Sequence, residues 1–198
     1  MKKDNSKKAT KKEQVIKAAS EIFKQKGYEN TTMNDIAKHI HNGKSSIYYY
    51  FKSKEDIFQN VVLIEASQFR TIIINAIEKE KNPIDKIKTY ITTRMKIIKV
   101  YQNFHLALKN EKYAHIHFFK RLNSIYDKEE IRLFKNILEE GVKNNYLKKN
   151  IDLYLAAVAI IMAIKGIESN FFNIDKEIVF KYSIENTIEI LLYGIVNK

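Results

Sequence analysis

One proline and five glycines punctuate 198 residues. A β-rich chain needs many tight turns, and tight turns draw on Gly and Pro for backbone angles that other residues adopt only at a cost. Helices need fewer interruptions, so the sparse punctuation predicts an all-α protein. Hydrophobic residues make up 45% of the chain, enough for a sizeable core. Cysteine is absent, which excludes a disulfide framework, a thiol nucleophile and a thiolate metal site. The formal charge of +12 points to a polyanion, either nucleic acid or an acidic membrane surface. Apart from Arg70, Arg94, Arg121 and Arg132, all 35 basic residues are lysine, a bias that an A/T-rich genome also produces. The placement of charge therefore carries more than its total.

Residues 1–10 form a basic polar segment without apolar periodicity, expected to be a flexible arm. No apolar signal-peptide run follows it. The most apolar stretch, Leu153 to Ile164, is bounded by Asp152 and Lys165. It is shorter than the roughly 20 residues needed to span a bilayer. The expectation is a soluble, cytoplasmic protein without a membrane partner.

Thr10 and Glu13 have the spacing of a reciprocal cap, predicting a first helix from Thr10 to Gly27 with Val15, Ile16, Ala19, Ile22 and Phe23 inward. Thr32 caps a short second helix. His41-Asn42-Gly43 makes a turn, and a third helix covers Lys44 to Tyr50. Ser53 caps a long fourth helix reaching about Glu80. Asn82-Pro83 is the sharpest break, with Pro83 opening the next helix. Helices then run to about Tyr101 and from Phe104 to about Glu140. Residues 141–150 form a polar connection, and two helices close the chain, about 151–171 and 175–196.

The third helix carries the chemistry. Ile47 and Phe51 lie four apart and pack inward, while Lys44, Ser45, Ser46 and Tyr49 project the other way with hydrogen-bonding groups. A helix that enters the DNA major groove needs such a face. Lys54 starts the next helix, where free N–H groups and an ammonium together suit a phosphate. The competing reading makes Tyr48, Tyr49, Tyr50 and Phe51 an aromatic packing cluster.

Residues Glu13 to Val62 resemble the DNA-binding region of the tetracycline-repressor (TetR) family. The likeness lies in Ala18-Ala19, Ile22-Phe23, Gly27-Tyr28, Thr31-Thr32-Met33, Ile36-Ala37, Lys44 and the run Ile47-Tyr48-Tyr49-Tyr50-Phe51-Lys52-Ser53-Lys54-Glu55. It implies a three-helix DNA-binding domain over residues 11–57 and a helical effector-binding and dimerisation domain over 58–198. The helix from Lys44 would be the recognition helix. Thr32, Tyr49 or Tyr50 and Lys54 would touch phosphates, and Tyr48 would be partly structural. The partners implied are a palindromic double-stranded operator, a small-molecule effector and a second copy of the chain. The protein would be a regulator, more often a repressor, released from its operator by the effector. Where the family has Gly, an apolar residue and Ser in the turn, this chain has His41, Asn42 and Gly43. His is tolerated at positive φ, Gly43 gives up a side-chain cap, and Asn42 bonds the turn or faces the DNA.

No arginine precedes Arg70, so base readout falls to Lys44, Ser45, Ser46 and Tyr49, with Asn42, and the arm's lysines suit a narrow A/T-rich minor groove. No metal, cofactor or enzymatic constellation is legible: His115 and His117 point to nearly opposite sides of a helix, and no phosphate loop or nucleophile arrangement is present. For the effector, helices between about Phe58 and Phe134 offer a lining in which Arg94, Tyr101 and His105 are the candidates. Arg94 falls on the apolar stripe Ile87, Ile91, Ile98, Tyr101, either to anchor an anionic ligand or to pair with an acid of the protein. For the dimer, the small residues Ala156, Ala159 and Ala163 and the stripe Ile184, Ile188, Leu191, Ile195 form the expected interface. The alternative function is a basic helical protein that binds RNA or acidic membrane without sequence specificity.

Overall fold

The structure, a computed structural model, describes residues 2–41, 43–109 and 117–171, together with 186, 189 and 190. Asn42, His115 and the expected last helix with Ile184, Ile188, Leu191 and Ile195 lie outside the described residues. Among the described residues the chain is helical, in the order α1 (Lys2–Lys26), α2 (Met33–His39), α3 (Lys44–Tyr48), α4 (Lys54–Ile77), α5 (Pro83–Ile97), α6 (Gln102–Lys109), α7 (His117–Lys143) and α8 (Leu153–Phe171).

Most boundaries follow local chemistry. Gly27, at φ +78°, closes α1 with its N–H donating to the Phe23 carbonyl at 2.9 Å. Thr32 and Asp35 cap α2 reciprocally. At the start of α4 the Asp56 N–H donates to Ser53 Oγ, while the Asp56 carboxylate reaches back to the Lys52 N–H. Asn82 caps α5 ahead of Pro83, and Asp152 Oδ1 accepts from the Tyr154 and Leu155 N–H groups to start α8.

Two expectations differ from the structure. Helix α1 begins at Lys2 rather than Thr10, so the expected arm is helical; neither Gly nor Pro interrupts Lys2 to Thr10, and a packed helix propagates through such a segment. Gly141 does not open the connection after α7 but lies inside that helix. A Cβ there would come within 2.6 Å of Leu147 Cδ1, because Leu147 folds back onto the helix and is fully buried. Asn145, at φ +59°, makes that reversal, and the Gly141 carbonyl accepts from the Tyr146 and Leu147 N–H groups.

By internal contacts the chain divides into two units, Met1–Phe69 with Val100–Lys120 and Arg70–Lys99 with Arg121–Lys198. In the first, the predicted stripe of α1 is buried together with Ile36, Ala37, Ile47, Phe51, Ile57 and Val61. Phe58 joins rings on both sides, edge-on to Phe23 at 5.2 Å and near Phe119 at 5.5 Å. A buried carboxylate, Glu65 of α4, collects four donors on two oxygens. Oε1 accepts from Ser20 Oγ (2.7 Å), Asn103 Nδ2 (2.8 Å) and Lys24 Nζ (3.1 Å), and Oε2 accepts from the Phe104 N–H at 3.0 Å. Every partner is a donor, so the acceptor-only carboxylate satisfies all of them where Gln would turn an NH₂ toward donors. Helix α4 is long and apolar enough by composition to cross a membrane. Its apolar side is instead committed to the protein's interior through Ile57, Phe58, Val61, Val62, Ala66, Phe69, Ile73 and Ile77.

The second unit buries the predicted α5 stripe (Ile87, Ile91, Ile98) with Tyr90, Phe134, Ile137, Leu138, Ala157, Ile160, Ile161 and Ile164. Tyr90 meets Phe134 edge-on at 4.7 Å.

Candidate DNA-reading site

Helix α3 is held by two apolar side chains one turn apart. Ile47 and Phe51 are both buried, and the N–H groups of Tyr50 and Phe51 donate to the Ile47 carbonyl at 2.9 and 3.0 Å. The opposite face is open: Lys44 and Ser45 are exposed and Ser46 half-buried. Tyr48 is 48% and Tyr49 66% exposed. The aromatic run therefore does not pack as one cluster. Phe51 alone enters the core, Tyr50 is half-buried, and Tyr49 rests edge-on against Tyr50 at 5.0 Å with its phenol outward. Lys44 Nζ stands 5.8 Å from the centre of the Tyr48 ring. These groups form a polar, convex surface on a short helix, with donors and acceptors of the kind that read base edges.

The turn before α3 takes the strained form that its residues imply. His41 sits at φ +52°, in the left-handed region where the family has Gly, and Gly43 starts α3 with no side-chain cap. Substituting His41→Gly removes the Cβ penalty, about 1 kcal/mol by the usual cost of that region. Thermal unfolding should show the variant more stable, with operator affinity retained; a less stable variant would mean that the His41 ring contributes more than its backbone costs.

Thr32 is exposed, but its hydroxyl is already in use. It donates to Asp35 Oδ2 at 2.6 Å and accepts from the Asp35 N–H at 3.1 Å. The Thr32 hydroxyl first, then the Lys26 ammonium, hold the Asp35 carboxyl well below the usual carboxylate range. Lys26 bridges to Asp35 at 2.9 Å and His39 Nε2 lies 3.3 Å from Glu21 Oε2, so an ion pair and a side-chain hydrogen bond fasten α2 to α1. The sequence reading did not single out Asp35 or Glu65; the spacing Thr32-x-x-Asp35 and an acid between Val61 and Phe69 were the signals that could have found them. Lys54 also points inward. Its ammonium donates to the Tyr28 carbonyl at 2.7 Å and the Glu29 carbonyl at 3.3 Å. A helical residue 2–10 segment does not suit the minor groove, because a helix about 10–12 Å wide exceeds a groove about 6 Å wide.

The effector candidates are divided between the two units. Tyr101 and His105 belong to the first unit and Arg94 to the second. Tyr101 packs edge-on to Phe69 at 5.9 Å and borders an open cleft of about 610 Å³ between α1 and α4; His105 is buried. Arg94 is corrected as a ligand anchor. Its guanidinium is buried, bonded to Glu168 through Nε and Nη2, to Glu130 through Nη1, and to the Tyr90 hydroxyl at 2.8 Å. Burial opposes its charge, but Tyr90, Glu130 and Glu168 together outweigh burial and hold the guanidinium pKa well above its ordinary value. Burial, reinforced by Glu130, likewise pushes the Tyr90 phenol up. The second carboxylate sits 74 residues along the chain, on α8, beyond reach of any local pattern.

Helix α8 buries one side only. Ala157, Ile160, Ile161, Ile164 and Glu168 face inward, while Leu155 (62% exposed), Ala159, Met162 (68%) and Gly166 make a continuous apolar stripe outward. Ala156 and Ala163 flank that stripe, half-exposed.

A helix-turn-helix with a solvent-facing polar recognition helix defines a DNA-binding protein. Residues 15–61 match the bacterial regulatory proteins of the tetR family, and the chain is a DNA-binding transcriptional regulator that carries a DNA-binding segment of that kind. It is 25% identical, over 93% of its length and 95% of the relative's, to the fatty acid metabolism regulator protein of Bacillus subtilis. It is 27% identical to IcaR, the negative transcriptional regulator of the biofilm operon icaADBC of Staphylococcus aureus, covering 74% of this chain and 88% of that one. Its fold matches the crystal structure of the transcriptional regulator FadR from B. subtilis in complex with stearoyl-CoA, with TM-score 0.74, 23% identity and coverage of 92% and 98%.

Proposed function

We propose that the chain is a cytoplasmic, homodimeric repressor whose operator is read by α3 and released by an effector. The observation that carries this reading is the split of α3 into a buried apolar side and an open side of Lys44, Ser45, Ser46 and Tyr49. Residues 11–57 read DNA, with Tyr48, Tyr50 and the first turn of α2 at Thr32 on the backbone; residues 58–198 bind effector and dimerise through the outward stripe of α8. For the effector we infer a long-chain acyl thioester. The fatty acid metabolism regulator, similar along nearly the whole chain, and the stearoyl-CoA complex of matching fold support that choice. Release requires only that the effector favour the non-binding conformation by a few kcal/mol.

Selection from random duplexes tests the reading directly. The expected consensus is a palindrome rich in A·T with few obligatory G·C pairs, since the bidentate Arg–guanine contact is unavailable before Arg70. Lys44→Ala and Ser46→Ala should each change which bases are preferred, and stearoyl-CoA should release the selected duplex. Binding without a preferred site would favour a nonspecific polyanion binder, and a consensus indifferent to both substitutions would move the reading face elsewhere.

A further inference from the structure

The two ends of the helix-turn-helix meet at one side chain. Helices α2 and α3 lie between residues 28–32 on one side and 49–53 on the other, and Lys54 opens α4 immediately after. Its Nζ donates to the carbonyls of Tyr28 and Glu29 and stands 4.2 Å from the centre of the Tyr28 ring. Tyr28 in turn packs against Phe58 at 4.7 Å and Phe23 at 5.7 Å, so the site that receives the ammonium is itself anchored in the core. Two carbonyls and an aromatic face are the partners an ammonium prefers when half-buried.

We propose that Lys54 is a positioning residue for operator binding, not a phosphate ligand: it clasps the two ends of the segment that carries α2 and α3. The resemblance to the family implied a phosphate contact, which would require the ammonium to leave two carbonyls and the Tyr28 ring. As a clasp it closes a loop of 26 residues, limiting how far the start of α2 and the end of α3 can separate. Both heads of a dimer would then hold α3 at one setting before DNA arrives, and that preorganisation raises affinity for every sequence alike.

Salt dependence separates the two roles. A lysine that neutralises a phosphate contributes to the slope of log K against log salt, about 0.9 per contact, so its removal from both half-sites lowers the slope by about 2. For the clasp, Lys54→Ala and Lys54→Met are expected to weaken binding of selected and random duplexes by about tenfold with the wild-type slope. Lys54→Arg, which can still donate to both carbonyls and stack on Tyr28, should restore the affinity. In the DNA-free protein, amide exchange of residues 28–35 should quicken in Lys54→Met and return to normal in Lys54→Arg. Lys54→Met keeps most of the aliphatic stem over the ring, so it tests the clasp even if the alanine variant fails to fold. The exchange experiment needs no operator and stands apart from the proposed repressor reading. A slope reduced by about 2, unchanged affinity in Lys54→Met, or exchange of residues 28–35 indifferent to the substitution would each overturn the proposal.

Discussion

Ala159→Glu is expected to give a folded monomer that no longer holds its operator. Ala159 stands in the middle of the outward stripe of α8, between Leu155 and Met162, and is exposed in the single chain. A side chain added at that exposed position breaks no described contact, and surface substitutions of this kind usually change stability by no more than about 0.5 kcal/mol. In a two-fold dimer joined through this stripe the substitution enters the interface twice, so two carboxylates would be buried without partners at a cost of several kcal/mol. The effect on DNA is larger still. One head reads half a palindrome, and losing the tethered second head removes the roughly 10²–10⁴ gained from linked binding. Sedimentation and fluorescence anisotropy on one sample should show monomer and operator loss together. A variant that remains dimeric at micromolar concentration would place the interface away from α8. Ile160→Glu is the contrast, since Ile160 is buried within its own subunit and its loss should unfold the unit.

The features legible in the sequence are those whose cause lies within a few residues. Gly27, Thr32, Ser53 and Asn82-Pro83 mark helix ends through side chains or backbone angles that act on the next turn, and each acts there in the structure. His41 at positive φ belongs to the same group. What escaped depends on distant partners. Gly141 looked like a helix end because glycine commonly is one; its reason is Leu147, which docks where a Cβ would stand. The inward turn of Lys54 depends on Tyr28 and Glu29, 26 and 25 residues earlier. The small residues Ala156, Ala159 and Ala163 marked α8 for close packing without showing which side the subunit itself takes; among the described residues Ala157, Ile160, Ile161 and Ile164 are the buried ones.

Arg94 shows the same limit, and its substitution is expected to have the largest effect on stability. Its place on the α5 stripe was readable, but whether it met a ligand or a protein acid rested on Glu130 and Glu168, 36 and 74 residues away. With the guanidinium present, the Glu168 carboxylate receives two of its N–H groups and Glu130 shares another with the Tyr90 hydroxyl close by. Arg94→Met keeps much of the volume and removes the charge, leaving a fully buried carboxylate on α8 and a second on α7 without their common partner. Breaking a buried pair in this way costs about 3–5 kcal/mol. For a chain of this size each kcal/mol shifts the midpoint by roughly 2–4 °C, so a fall of about 10 °C is expected. Lys165, which bonds Asp127 and lies 3.8 Å from Glu130, offsets part of the loss at Glu130. Removing the stranded charge should therefore recover stability: Arg94→Met with Glu168→Leu is expected to be clearly more stable than Arg94→Met alone, because a buried ion pair replaced whole by apolar groups is often neutral. Thermal unfolding of the two single variants and the double variant gives the coupling as a cycle. If Arg94→Met unfolds at the wild-type temperature, or if the two losses simply add, the guanidinium is not neutralising Glu168 in the folded protein.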